Sequence, residues 1–122
     1  MDKDTFDYVA QRANILATAD SSKQETKDAA RAWLKAVAED NSDAAVEKAT
    51  ETFVNYLDGR PRTIDGLIEF LEGPAKELFG EEKAAAGLAV QKKRKAEGAK
   101  FCDCPSCTAA SEILAKFGRV EL

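Results

Sequence analysis

The sequence predicts an all-α protein, a single-domain bundle of about six to seven short helices spanning residues 1–122. Three observations carry this. The apolar share, 44%, is rich in alanine and poor in aromatics at 7%, a mix that suits closely packed helices better than a β-sandwich. Apolar residues recur at intervals of three and four along most of the chain. The breaks between these runs are short clusters of Ser, Asp, Asn, Gly and Pro, which leave little room for anything but antiparallel neighbours.

The first run sets Phe6, Val9, Ala10, Ala13 and Leu16 on one face and stops at Asp20-Ser21-Ser22. Ser22 with Glu25 reads as a capping box, Ser hydroxyl to a first-turn amide and Glu carboxylate back to the cap. The helix it opens buries Ala30, Trp33, Leu34 and Val37. Asp40-Asn41-Ser42 breaks the pattern, and a third helix turns Val46, Ala49, Phe53 and Leu57 inward. Gly59-Arg60-Pro61-Arg62 is the clearest interruption, since Gly59 suits a left-handed cap and Pro61 cannot continue a helix; residues 59–62 are a turn or hinge. Thr63 caps a short helix presenting Ile64, Leu67, Ile68 and Leu71. Gly73-Pro74 then ends one helix and begins the next, a brief piece anchored by Leu78 and Phe79. Residues 81–97 form a weakly amphipathic helix through Ala84, Leu88 and Gln91, stopped by Gly98. A cysteine-bearing loop precedes the last helix, Pro105 to Phe117.

With 122 residues the chain is long enough for one core without metal or disulfides to hold it. The net charge of −4 argues against a surface shaped throughout for nucleic acid or an anionic membrane. Residues 1–60 carry 8 basic and 12 acidic side chains, and residues 61–122 carry 10 of each. No uncharged run approaches the roughly 20 residues of a membrane helix, and the charged start Met1-Asp2-Lys3-Asp4 does not read as a signal peptide. A cytoplasmic location is expected. Three clustered thiols, an odd number, also fit a reducing compartment better than a secreted disulfide scaffold.

The chemistry is concentrated in Cys102-Asp103-Cys104-Pro105-Ser106-Cys107, which holds every cysteine of the chain. Histidine is absent, so His-based catalytic pairs and metal sets are excluded. Cys102, Cys104 and Cys107 together supply three thiolates to one soft metal ion, zinc first, with copper(I) or a three-cysteine iron–sulfur cluster as alternatives. A fourth zinc ligand would be Asp103, a more distant carboxylate, water or another subunit. Read instead as a dithiol, Cys104-Pro105-Ser106-Cys107 places Cys104 at a helix N-cap, where unpaired amides and the helix dipole favour a thiolate. Cys104 is then the redox nucleophile, Cys107 its partner and Cys102 a resolving or third thiol. This motif resembles the dithiol of glutaredoxins, without that family's strand–helix–strand context. Cys107 also recurs with Ala110, Leu114 and Phe117 at helical spacing, as a core residue would, but that leaves Cys102 and Cys104 unexplained.

Lys92-Lys93-Arg94-Lys95 is a compact basic run. Cations in the last turns of a helix are favoured by its dipole, and no aromatic residues stand nearby for base stacking, so nucleic-acid binding is not expected. Glu81-Glu82 are the matching anions at the other end of that helix. No glycine-rich phosphate loop is present, and no carboxylate pair is singled out for acid–base work.

The stretch Ala96-Glu97-Gly98-Ala99-Lys100-Phe101-Cys102-Asp103-Cys104-Pro105-Ser106-Cys107-Thr108-Ala109-Ala110, followed by Ile113-Leu114, resembles a family of small cytosolic bacterial proteins. Their pattern is Ala-Gly-x-Lys-aromatic-Cys-x-Cys-Pro-x-Cys-x-Ala-Ala and an Ile-Leu pair. Ala30-x-x-Trp33-Leu34 and Ile64-Asp65-x-Leu67-Ile68 are similar too. Members carry a heat-shock or chaperone label; this chain has neither the length nor the ATP-binding signature of the large ATP-dependent heat-shock chaperone. The resemblance implies that the three cysteines are a family feature.

The sequence thus points to a non-catalytic helical protein binding a soft metal through Cys102, Cys104 and Cys107. The alternatives are a thiol–disulfide redox protein or sensor using Cys104 and Cys107, and a helical interaction or chaperone-like module with inert cysteines. Another protein is the partner class that remains once membrane and nucleic acid are set aside.

Overall fold

The computed structural model describes all of residues 1–122. It contains seven α-helices and no strand: α1 Lys3–Thr18, α2 Gln24–Glu39, α3 Asp43–Leu57, α4 Ile64–Glu72, α5 Pro74–Phe79, α6 Glu81–Ala96 and α7 Pro105–Lys116. They gather into two compact units, Met1–Pro61 with Asp103–Glu121, and Arg62–Cys102.

In the first unit α1 packs on α2 and α7, and α3 packs on the same two helices. Its core holds Val9, Leu16, Trp33, Phe53, Leu57 and Leu114, apolar positions expected from the helical spacing of α1, α2, α3 and α7, together with Ile113. Trp33 stacks on Phe53 with ring centroids 6.2 Å apart and meets Phe6 at 5.5 Å. A buried indole N–H needs an acceptor; Trp33 Nε1 finds one in Thr50 Oγ1 at 2.9 Å. Leu34 is only half-buried, at the edge of this core.

Helix α1 is tied to α7 at a second point. Arg12 Nη2 donates to Glu112 Oε2 at 3.2 Å, while the guanidinium lies 3.4 Å from the Tyr8 ring centroid. Mostly buried, Arg12 exchanges part of its hydration for a carboxylate and an aromatic face, while its Nε is buried without a hydrogen-bond partner.

The capping box expected at Ser22 does not form. The N-cap of α2 is Lys23, which makes no side-chain cap bond, and Ser22 lies one position outside the helix with its hydroxyl directed to α7. A serine N-cap is worth about 1 kcal/mol, so α2 begins without a stabilisation that a one-residue shift would have supplied. Thr63 caps α4 as its sequence position suggested, and Asp2 and Ser42 cap α1 and α3 in the same way, each accepting the amide three residues on; α5 and α6 have no side-chain cap.

In the second unit α4, α5 and α6 pack on one another. The buried residues are Ile64, Ala75, Ala84 and Gln91, while Leu67, Ile68 and Leu71 are half-buried. Leu78 and Phe79, expected to anchor α5, are 67% and 58% exposed. Six residues make less than two turns; Ala75 is the residue it buries, and Phe79, though exposed, still sets its ring edge-on to Phe70 of α4 at 6.4 Å. The approach of α4 to α6 is close: a Cβ on Gly87 would lie 3.2 Å from Leu71 Cδ2. Gly59, at φ +78°, ends the run of α3 in the left-handed region that its sequence position suggested.

Candidate metal centre

Each part of the cysteine segment is held by a different local device. Ahead of Cys102 the chain is extended and pairs antiparallel with the start of α4, through the bridge between Thr63 and Phe101. Ile64 N–H donates to Lys100 O at 2.9 Å and Cys102 N–H to Arg62 O at 2.8 Å. Arg94 reinforces this stretch by donating to Phe101 O at 3.1 Å and to Gln91 Oε1 at 2.7 Å. Arg94 therefore belongs to the support of the loop, and its neighbour Lys95 pairs with Asp65 at 2.6 Å. Two of the four residues in the basic run have these structural duties.

Beyond the turn, α7 begins at Pro105 with Cys104 as its N-cap, as the sequence indicated. The reason is local. Proline at the first helical position has its φ preset and lacks the N–H that would otherwise be orphaned. Cys104 O accepts the first helical bond from Thr108 N–H at 2.9 Å, and Cys104 Sγ accepts the N–H of Cys107 at 3.3 Å. A sulfur thus occupies the place usually taken by a serine or aspartate oxygen.

The result is a set of three half-buried thiols, Cys102, Cys104 and Cys107, whose Sγ atoms all lie within 4.8 Å of one another. No disulfide joins them. Tetrahedral zinc with Zn–S bonds of about 2.3 Å sets its sulfurs about 3.8 Å apart, so a contraction of about 1 Å would seat one ion. Asp103, considered from sequence as a fourth ligand, is exposed and lies outside the group. The thiols offer soft ligands, and the amide of Cys107 directed at Cys104 Sγ stabilises negative charge on that sulfur.

The sequence reading missed the residues that hold the first turn of α7. Ser106 N–H donates to Ser21 Oγ at 3.2 Å, and Ser22 Oγ donates to Ser106 Oγ at 2.9 Å. These contacts cross more than eighty residues of chain, and no local pattern announces them. A cavity of about 550 Å³ lies apart from the thiols, between α2 and α3, walled by alanines over Trp33 and Phe53; it gathers no comparable set of metal-ligating groups.

No protein-family model, curated protein or solved structure matches the chain. No helix is long and apolar enough to cross a membrane.

Proposed function

We propose that the protein binds a soft metal ion, zinc first, through the thiolates of Cys102, Cys104 and Cys107, and that it does so as a non-catalytic cytoplasmic protein. The observation that carries this reading is the gathering of the three sulfurs within 4.8 Å. Thiolate ligands select zinc or copper(I) over hard cations. Binding replaces thiol protons by the metal, so affinity falls as pH falls. Titrating reduced, metal-free protein with Co²⁺ tests the reading. Sulfur-to-cobalt charge-transfer absorption should saturate at a single equivalent and vanish when zinc is added; no such absorption would overturn it.

A second reading is favoured by one contact, the Cys107 N–H on Cys104 Sγ. In it Cys104 thiolate attacks a substrate disulfide, forming a mixed disulfide and releasing one substrate thiolate. Cys107 thiolate then attacks the Cys104 sulfur, closing an internal disulfide and releasing the second. The substrate is reduced and the Cys104–Cys107 dithiol oxidised, by two electrons. Incubation with oxidised glutathione separates this from the metal reading, because a metal-bound thiolate set is protected from exchange.

A further inference from the structure

We propose that Ser21 and Ser22 are positioning residues of the thiolate site, setting the direction of the Cys104 sulfur from outside the cysteine segment. The inference rests on the metal-binding reading of Cys102, Cys104 and Cys107 and adds to it two residues far away in sequence.

An N-cap side chain has a choice between the amides of the second and third helical positions. In α7 these are Ser106 N–H and Cys107 N–H, because Pro105 has none to offer. Ser21 Oγ takes the first, at 3.2 Å. Cys104 Sγ is left with the second, at 3.3 Å. The loop between α1 and α2 thereby removes the competing donor, and the sulfur stands toward Cys107, the residue whose own sulfur belongs to the same group.

Ser22 fixes the arrangement. Its hydroxyl donates to Ser106 Oγ at 2.9 Å, and the two serines are each only 8% exposed. A hydrogen bond between buried hydroxyls constrains both partners, since breaking it leaves polar atoms out of reach of water. Ser22 is also the residue that would have capped α2, and it serves α7 instead. This is the relation that outer-shell groups bear to metal ligands: they do not touch the ion, and they hold its ligands in the geometry it needs.

The test compares zinc affinities, by chelator competition, of the full-length protein and its Ser21→Ala, Ser22→Ala and Ser22→Thr variants. Thr50→Val is the control, since it removes the partner of Trp33 in the same unit without touching the thiols. Ser21→Ala and Ser22→Ala should weaken zinc roughly 10–100-fold, the usual cost of losing an outer-shell partner, and shift the Co²⁺ charge-transfer spectrum. Ser22→Thr, which keeps the hydroxyl, should recover most of the affinity, and Thr50→Val should leave affinity and spectrum unchanged. Should the serine variants bind zinc as the original protein does, or lose no more than Thr50→Val, the proposal is overturned. If the original protein takes up no metal, the metal reading fails, and alkylation of Cys104 in metal-free protein decides the proposal. Ser21→Ala should change that rate severalfold, because the freed Ser106 amide becomes a second donor within reach of the sulfur; an unchanged rate refutes the positioning role.

Discussion

Cys104 Sγ accepts the backbone N–H of Cys107 at 3.3 Å, which makes a cysteine the N-cap of α7 and ties one clustered thiol to the backbone of the residue that carries another. The donor stabilises negative charge on the Cys104 sulfur. In reduced, metal-free protein Cys104 should therefore be alkylated before Cys102 and Cys107. Iodoacetamide labelling with peptide mapping checks the order, and initial reaction at Cys107 would show that the amide does not govern reactivity.

Each ligand should matter to metal retention. Cys102→Ser, Cys104→Ser and Cys107→Ser should each weaken zinc by more than the roughly 10–100-fold expected from an outer-shell change, because a hydroxyl is a poor substitute for a thiolate. Affinity in all proteins should fall on acidification as ligand thiols are reprotonated. Chelator competition at several pH values reads both effects.

Stability should depend on the first unit's core more than on the cysteines. Leu57 is fully buried, so Leu57→Ala should cost about 2–5 kcal/mol; Leu34→Ala, at a half-buried position, should cost less. Thr50→Val strands the buried Trp33 N–H and should cost about 1–3 kcal/mol. The Cys102/Cys104/Cys107→Ser triple variant should keep the helical circular dichroism of the original at room temperature. Thermal and urea melts rank the four; a triple variant that unfolds while Leu57→Ala is unaffected would make the site a structural staple.

Asp2 supplies a pH-dependent term at the start of α1. Its carboxylate accepts Thr5 N–H at 2.7 Å, and this backbone hydrogen bond holds its pKa below the ordinary 3.8. A depressed carboxyl contributes stability above its unfolded value and loses it as pH falls through the folded one. The end of α1 should thus stay capped at pH values just below 3.8 and fray in stronger acid. Following the Asp2 carboxyl and the Thr5 amide by NMR should give a shared midpoint below 3.8; a midpoint at or above it contradicts the cap.

The fold class was legible because amphipathic spacing and capping chemistry are local. Trp33, Phe53, Leu57 and Leu114 showed their burial by recurrence on one face, and Pro105 with Cys104 marked the start of α7. Leu78 and Phe79 misled because large apolar residues do not say how many neighbours a helix of six residues will have. Ser22 misled for a different reason: the capping-box pattern is local, whereas its hydroxyl serves Ser106, 84 residues away. The three clustered thiols could be read because their proximity is covalent; the serines and Arg94 that hold the segment could not, because their contacts exist only once the helices have packed.

The central claim is that the three thiols hold one metal ion, and mass spectrometry under native and denaturing conditions tests it most directly. Protein incubated with zinc under reductant and desalted should be heavier by one zinc ion natively, allowing for displaced protons, and return to the mass of three reduced thiols when denatured. The Cys104→Ser variant should lose most of that addition. A native mass equal to that of the reduced chain would contradict the metal site, and a loss of two hydrogens under both conditions would assign the cysteines to disulfide chemistry instead.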